Sequence, residues 1–288
     1  MAMYGLGDAT PTDPKRQFSG RYRAGLGMAY GPQRASGAPE LFGNTPLEVS
    51  NRREFMTLKH DFLIAHDVDT TNVWEMQAAA TLTVVADSPN GLAVMTAANA
   101  NNNTVAQMQF FPGAIVAAGE VADPINQEVV CQAWCGKMPF ALTTDWFIGI
   151  AEDDTTVLAA TGVMGNGSYI GFHHLENATT VRLVQGDSGN AISAIPLRTL
   201  WTPADSVNTL RELAVMIVGN RKYFWFIDGI CVGAAQVGDV IGGVTTAAFT
   251  DKMTPTICTK NGAEEDAAIT YVDYQFLQAT RLTAPLGG

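Results

Sequence analysis

At least twelve short runs of β-branched and aromatic residues, separated by turn-forming residues, constrain the fold of this chain most strongly. The breaks between runs include Asn166-Gly167, Gly219-Asn220 and Asp228-Gly229, residue pairs that accept positive φ or initiate turns. No convincing long amphipathic helix separates the runs. Many antiparallel strands without helices predict a two-sheet sandwich, because one open sheet of this size would leave an apolar face in water. The predicted strands are Asp61–His66, Thr81–Ala86, Leu92–Ala97, Val105–Phe111, Glu128–Gly136, Trp146–Glu152, Ser168–His173, Thr180–Gly186, Arg211–Val218, Lys222–Ile227, Ile230–Ala235 and Ala268–Gln278.

The run Lys222–Gly233 (KYFWFIDGICVG) is unusual because it places four aromatic residues next to an Asp-Gly pair. Such a run is compatible with a ligand-stacking platform, a catalytic loop around Asp228 or a buried part of the scaffold. The nearly continuous apolar sequence from Tyr223 to Ile227 indicates burial on both faces of a strand. Asp228-Gly229 matches a two-residue type I′ turn. The stretch therefore predicts a buried β-hairpin, with Asp228 as a turn former.

The first 54 residues differ from the rest of the chain in composition. They are rich in Gly, Pro and Ala and lack a helical or strand period, so we predict an extended N-terminal arm (1–54) and a β-sandwich domain (55–288). A segment of this kind is either a floppy tail or is ordered by lying along a partner. Aromatic residues alternate with arginines in the arm. The predicted partner contacts of the arm are Arg16, Phe18, Arg21, Tyr22 and Arg23.

The charge of the chain argues against nucleic acid as its main partner. The formal net charge is −11, and residues 1–60 carry eight basic and five acidic side chains, whereas the remainder carries nine basic and twenty-three acidic ones. A body this acidic repels polyanions. The start of the sequence does not resemble a signal peptide, and no apolar run approaches the roughly 20 residues of a membrane helix. We therefore expect synthesis in a cytoplasm and no membrane contact.

The four cysteines are too few for a disulfide framework in a chain of 288 residues. Cys131 and Cys135 lie in one predicted strand, where a separation of four residues spans roughly 13 Å and exceeds disulfide reach. We expect all four to be small buried hydrophobic residues.

Two acidic clusters are candidates for acid–base chemistry, Glu152–Asp154 and Glu264–Asp266. Consecutive residues on an extended chain point to opposite faces, so neither cluster directs a pair of carboxylates at one substrate. We interpret both as solvated turns. Catalytic residues are accordingly predicted to be absent.

Candidate metal ligands occur in two places. His173-His174 with Glu176 has the ligand types of a metal site, but adjacent strand residues diverge and no third ligand has metal spacing. Asp67 and Asp69 could supply oxygens to Ca²⁺, but too few further oxygen ligands follow them. No metal and no cofactor is predicted.

Three stretches resemble the concanavalin A-like lectin/glucanase jelly roll. They are the hairpin Lys222–Gly233, the strand Ala268–Gln278 (AITYVDYQFLQ) and Trp146–Glu152 (WFIGIAE), which precedes a polar loop and the strand YIGFHH. In that family a strand-Asp-Gly-strand hairpin and a closing Val-Asp-Tyr strand recur. The resemblance covers residues 55–281 and implies an all-β, two-sheet antiparallel jelly-roll sandwich. Glucanases of this kind carry Glu-x-Asp-x-Glu on one strand, which puts two carboxylates on the cleft face, and this pattern is missing here.

The arm, the FIGIAEDDT element and the FIDG hairpin together resemble virion structural proteins of tailed bacteriophages, of the capsid decoration or cement type. That resemblance implies a non-enzymatic protein on the capsid exterior, bound to the major capsid protein and assembled as a homo-oligomer, for which we expect a trimer. The alternative is a lectin-like virion protein that binds host-surface glycans, and a glycan hydrolase is a weaker third. Trp74, Trp134, Trp146, Trp201 and Trp225 are candidate sugar platforms, although apolar flanks favour packing.

Overall fold

The computed structural model describes the β-sandwich part of the chain with gaps. The described residues are 55–60, 62, 70, 74–77, 81–84, 92–96, 105–110, 122–137, 144–153, 157–158, 164–165, 167–176, 178, 180–186, 193–196, 211–241, 243–261 and 269–280. They contain seventeen strands and no helix, which confirms the all-β prediction. In these residues there is no helix long and apolar enough to cross a membrane. The predicted arm contacts Arg16, Phe18, Arg21, Tyr22 and Arg23 lie outside the described residues.

The strands fall into two large antiparallel sheets and one small hairpin. The strands are β1 Phe55–His60, β2 Trp74–Gln77, β3 Thr81–Val84, β4 Ala93–Thr96, β5 Val105–Phe110, β6 Val129–Lys137, β7 Thr144–Ala151, β8 Tyr169–His174, β9 Arg182–Gly186, β10 Ser193–Pro196, β11 Arg211–Val218, β12 Lys222–Ile227, β13 Ile230–Gln236, β14 Val240–Ile241, β15 Val244–Thr245, β16 Thr254–Asn261 and β17 Ile269–Thr280. Sheet I has the order β13-β12-β11-β6-β17-β4-β3, with β1 also paired to β17. Sheet II has the order β10-β9-β8-β7-β16-β5-β2.

The turns at both ends of β12 have the backbone geometry that their sequences predict. Asp228 and Gly229 have φ of 50° and 74°, and Gly219 and Asn220 have φ of 59° and 50°. Positive φ at both central residues is the signature of the type I′ turn, whose twist matches that of the flanking strands. The Asp228 carboxylate accepts hydrogen bonds from the Glu212 N–H and from the Arg211 guanidinium. The predicted hairpin is confirmed, and Asp228 serves the turn.

The core lies between the inner faces of the two sheets. Trp74, Trp134, Trp146 and Trp225 are all buried, which confirms packing as the role of these four tryptophans, while Trp201 lies outside the described residues. The indole of Trp225 on sheet I donates a hydrogen bond from Nε1 to the carbonyl oxygen of Gly171 on sheet II, at 2.9 Å. This bond satisfies the buried N–H and ties one sheet to the other.

Candidate functional site

The outer face of sheet II, the face turned away from the core, carries a row of polar side chains. Gln107 donates a hydrogen bond to Gln109 at 2.9 Å, and Gln109 donates to the Thr256 hydroxyl at 3.0 Å. All three side chains are buried. A buried polar network is stable only when its members are hydrogen-bonded, so this row is a built feature of the fold.

Part of the connection between β7 and β8 lies on this row. Val157, Leu158 and Met164 form an apolar cluster with residues of the sheet, among them Phe147 and Tyr169. Two hydrogen bonds attach the same connection to the glutamines. The Val157 N–H donates to the Gln107 side-chain oxygen at 3.0 Å, and Gln109 donates to the carbonyl oxygen of Glu152 at 2.9 Å. The described part of this connection therefore covers part of the outer face of sheet II.

A small cavity lies where this connection leaves the sheet. Its volume is about 10 Å³. Among the lining residues that the structure describes, Glu152 is the one acid, and it is half-buried. That volume is room for about one water molecule, so a larger ligand would lie against the mouth of the cavity and not inside it. The lining residues are Ala151, Glu152, Val157, Gly165, Gly167, Ser168 and Tyr169.

Ser168 joins two carboxylates at this cavity. The Ser168 N–H donates to the Glu152 carboxylate at 3.3 Å, and its hydroxyl donates to the Asp251 carboxylate at 2.8 Å. The backbone reinforces this arrangement, because the Glu152 N–H donates to the Ser168 carbonyl oxygen at 2.7 Å. The two hydrogen bonds and the covalent span of one serine limit the separation of the carboxylate oxygens to about 10 Å. That limit includes the separations found in glycoside hydrolases, which run from about 5 to about 9.5 Å.

The position of Glu152 shows that one interpretation made from the sequence is wrong. We expected Glu152–Asp154 to be a solvated turn, but the Glu152 carboxylate is hydrogen-bonded and lines the cavity, whereas Asp153 is exposed. Asp154 lies outside the described residues, as do Asp67, Asp69 and the acidic cluster at 264–266. The hydrogen-bond partner Ser168 is sixteen positions from Glu152 and is brought back by the pairing of β7 with β8.

The opposite end of the same outer face holds a buried ion pair. Lys260 on β16 and Asp145 on β7 lie 2.9 Å apart, and each side chain is 2% exposed. The Asp145 carboxylate also accepts a hydrogen bond from the Glu176 N–H. Of the outward-facing positions on β7, Asp145, Phe147, Gly149 and Ala151, only the first carries a carboxylate. β7 therefore does not present the paired carboxylates of a Glu-x-Asp-x-Glu strand.

His173 and His174 diverge from one another, as their adjacency on a strand predicts. His174 stacks on Trp146 in the interior, with ring centroids 5.7 Å apart. Its two ring nitrogens face carbonyl oxygens, Nδ1 that of Thr144 at 2.8 Å and Nε2 that of Ala178 at 2.9 Å. Within the part of the chain that the structure describes, no three potential ligands cluster as a metal site would require.

The four cysteine thiols are free, as the sequence predicts, but only two of them are fully buried. Cys131 and Cys258 are buried, and burial raises the pKa of both thiols well above the usual range. Cys135 is half-buried. Burial, together with the nearby Asp273 and Glu212 carboxylates, raises the pKa of Cys135 to about 12. Thiols that resist ionisation are poor nucleophiles and poor metal ligands, so these three cysteines are structural.

No protein-family model matches the sequence, and no curated protein matches it. Solved structures do match the fold. A protein of unknown function from Shewanella oneidensis MR-1 aligns with a TM-score of 0.51 at 11% identity, covering 82% of this chain and 90% of its own. An endo-1,3-β-glucanase from Streptomyces sioyaensis aligns with a TM-score of 0.50 at 8% identity, covering 79% and 97%. A GH16 protein of the mixed-linkage-glucan PUL of Bacteroides ovatus, in complex with its product, aligns with a TM-score of 0.51 at 10% identity, covering 76% and 99%.

These alignments establish the concanavalin A-like jelly-roll fold that the sequence predicts. They also contradict the prediction that the protein is not an enzyme, because two of the three structures with this fold are named as carbohydrate-active proteins, one of them an endo-glucanase. The missing Glu-x-Asp-x-Glu pattern was the main support for that prediction. One motif is not a sufficient test, because the same fold can carry its carboxylates at other positions. At identities near 10%, the three solved structures share their fold with this chain.

Proposed function

We propose that this chain is a carbohydrate-active jelly-roll protein that binds a glycan at the surface beside the cavity of Glu152. The observation that carries the proposal is the joined pair of carboxylates, Glu152 and Asp251, held by Ser168 beside a cavity with an otherwise largely apolar lining. Sugar sites combine such apolar surface with a few carboxylate or amide groups that accept hydrogen bonds from hydroxyls. Glu152 and Asp251 are both partly exposed, so each carboxylate can meet a ligand.

The same pair supports glycoside hydrolysis as the reaction. Hydrolysis of a glycosidic bond needs one carboxyl group that protonates the leaving oxygen and a second that acts as nucleophile or activates water. Glu152 is the candidate acid, because it lines the cavity and is partly removed from solvent. Asp251 is the second carboxylate. β-Glucans are the first substrates to test, since two proteins with this fold are named for 1,3-β-glucanase activity and for mixed-linkage glucan.

The experiment compares wild type with Glu152→Gln on a panel of β-glucans, measuring both binding and release of new reducing ends. Glu128→Gln is the matched control, because Glu128 is an exposed acid outside the cavity. We expect Glu152→Gln to lose at least tenfold in cleavage, in line with the usual contribution of a general acid. The proposal is wrong if wild type neither binds nor cleaves any glycan of the panel, or if both variants behave alike.

Capsid decoration is a second candidate, and one observation favours it. The basic excess of residues 1–60 against the acidic remainder suits an arm that lies across a neighbouring acidic subunit. In this arrangement the protein binds the outside of an assembled virion shell, as a homo-oligomer, and stabilises the shell by mass action. Co-expression with the major capsid protein of the same genome tests it. Co-sedimentation that disappears when residues 1–54 are removed supports the role, and no co-sedimentation of the full chain rejects it.

A further inference from the structure

Three polar side chains lie together on the inner face of sheet I, in the middle of the apolar core. Gln132 and Trp134 are two positions apart on β6, and Gln275 on β17 is in register with Trp134. The register partners of Gln132 on the two neighbouring strands are Val215 and Leu277, both buried and apolar. We call Gln132, Trp134 and Gln275 the core polar cluster.

The polar atoms of the core polar cluster are buried without protein partners. Within the described residues, Gln132 Nε2, Trp134 Nε1 and both Gln275 side-chain polar atoms make no hydrogen bond. The three side chains are at most 3% exposed. Two other buried glutamines are bonded, since Gln109 reaches Thr256 and Gln185 reaches the Ala247 carbonyl oxygen. Single buried atoms without a partner occur elsewhere, for example the Thr246 and Thr259 hydroxyls, but the cluster brings four such atoms to adjoining positions.

We propose that the core polar cluster is an internal hydration site that holds one or two long-lived water molecules between the sheets. Buried polar groups in folded proteins are almost always hydrogen-bonded, to protein atoms or to ordered water. The cluster offers three donor nitrogens, which carry five N–H bonds, and Gln275 Oε1 as an acceptor. One water can accept from two of the donors and donate to Oε1, which is about the three hydrogen bonds that a buried water typically makes.

Water is the ligand that suits the position of the cluster. Val215 and Leu277 beside it are apolar, and interiors of this kind are packed with few voids larger than a water molecule. The competing arrangement is a direct amide-to-amide bond between Gln132 and Gln275, which are diagonal neighbours across the β6–β17 pair. That pairing needs no water and leaves Trp134 Nε1 without a partner, so solution measurements distinguish it from hydration.

The experiment is magnetic relaxation dispersion of ¹⁷O and ²H in solutions of the folded protein, which counts waters held for longer than nanoseconds. We compare wild type with Gln132→Leu/Gln275→Leu, and use Gln185→Leu as the control because its amide is bonded to a carbonyl oxygen. The expected result is a dispersion amplitude lower by about one or two waters in the double variant, and unchanged in the control. An amplitude equal to that of wild type in the double variant overturns the proposal.

A second measurement on wild type does not depend on whether the double variant folds. Side-chain amide protons of Gln132 and Gln275, and the Trp134 indole proton, are expected to show dipolar cross-peaks to water of the sign that marks slow exchange. Cross-peaks between the two glutamine amides without any to water establish the direct amide pair and reject hydration. The absence of water cross-peaks at all three groups also rejects it.

Discussion

Replacing Lys260 by Met tests how much the buried ion pair on sheet II contributes to stability. The Lys260–Asp145 distance is 2.9 Å and both side chains are 2% exposed. At that distance and an effective dielectric constant of about 20, the attraction is about 6 kcal/mol before the cost of removing both ions from water is subtracted. Lys260→Met leaves the Asp145 carboxylate buried without its cation. Breaking a buried pair in this way costs about 3–5 kcal/mol, a large share of the roughly 5–15 kcal/mol that stabilises a domain.

Removing both charges is expected to restore most of that loss. In Asp145→Asn/Lys260→Met the amide oxygen can still accept the Glu176 N–H, and no uncompensated charge remains in the interior. We therefore expect the double variant to lose at least about 2 kcal/mol less free energy of unfolding than the two single variants lose when their losses are added. Urea unfolding followed by tryptophan fluorescence and circular dichroism measures each free energy, provided that both probes report one transition.

The control is an exposed ion pair of the same protein. Arg211 and Asp228 are 30% and 40% exposed, so Arg211→Met is expected to cost less than about 1 kcal/mol. The reasoning is refuted if Lys260→Met costs no more than Arg211→Met. It is also refuted if the double variant is as unstable as the sum of the singles, because the two charges would then act independently.

Three further predictions concern the backbone and one thiol. Gly171→Ala places a Cβ 2.2 Å from the Ile148 carbonyl oxygen. Overpacking of a core typically costs about 1–3 kcal/mol, and calorimetry is expected to show a loss of at least this size in the free energy of unfolding. Asp228→Ala is expected to unfold at lower urea than Asp228→Asn, by roughly 1 kcal/mol, because asparagine tolerates the φ of 50° there; equal midpoints would contradict this. Burial and the Asp273 and Glu212 carboxylates raise the Cys135 pKa from 9.0 to about 12. The contribution of this thiol to the free energy of unfolding is therefore complete below pH 9 and is lost as pH rises towards 12. Urea unfolding at successive pH values should show a smaller loss of stability between pH 9 and pH 12 in Cys135→Ala than in wild type. If the free energy of unfolding depends on pH equally in both proteins, the explanation is ruled out.

Much of the fold could be predicted from the sequence because its strands are strongly apolar and its turns are chemically explicit. Arg211–Val218 and Lys222–Ile227 were predicted with the bounds that the structure has. The strand Thr254–Asn261 was missed, although it lies between β7 and β5 in the middle of sheet II. Pro255 and the polar residues Thr256 and Lys260 argue against a central strand by local criteria. Its polar side chains are accommodated because Gln109 and Asp145 meet them from neighbouring strands.

The candidate site was less accessible to prediction, because long-range pairing creates it. Glu152 and Ser168 are sixteen positions apart, and Ser168 and Asp251 are eighty-three apart. Spacing rules for a single strand or helix cannot detect such a set. The sequence does identify Glu152 as a candidate carboxylate, but its environment depends on the registration of β7 with β8. The absence of the Glu-x-Asp-x-Glu pattern therefore tested one catalytic geometry and gave no information about others.

The late position of β16 and β17 in the chain has a consequence for how this protein acquires its structure. β17 connects β6 to β4 in sheet I and also pairs with β1, and β16 connects β7 to β5 in sheet II. Before Thr254 has left the ribosome, sheet II can exist only as two separate fragments, and sheet I only as two fragments and an unpaired β1, with edges open to other chains. Pairings that join distant parts of the sequence form slowly, and exposed edges favour aggregation in the interval. Synthesis of this protein therefore passes through an aggregation-sensitive period that ends when β16 has joined sheet II and β17 has joined sheet I.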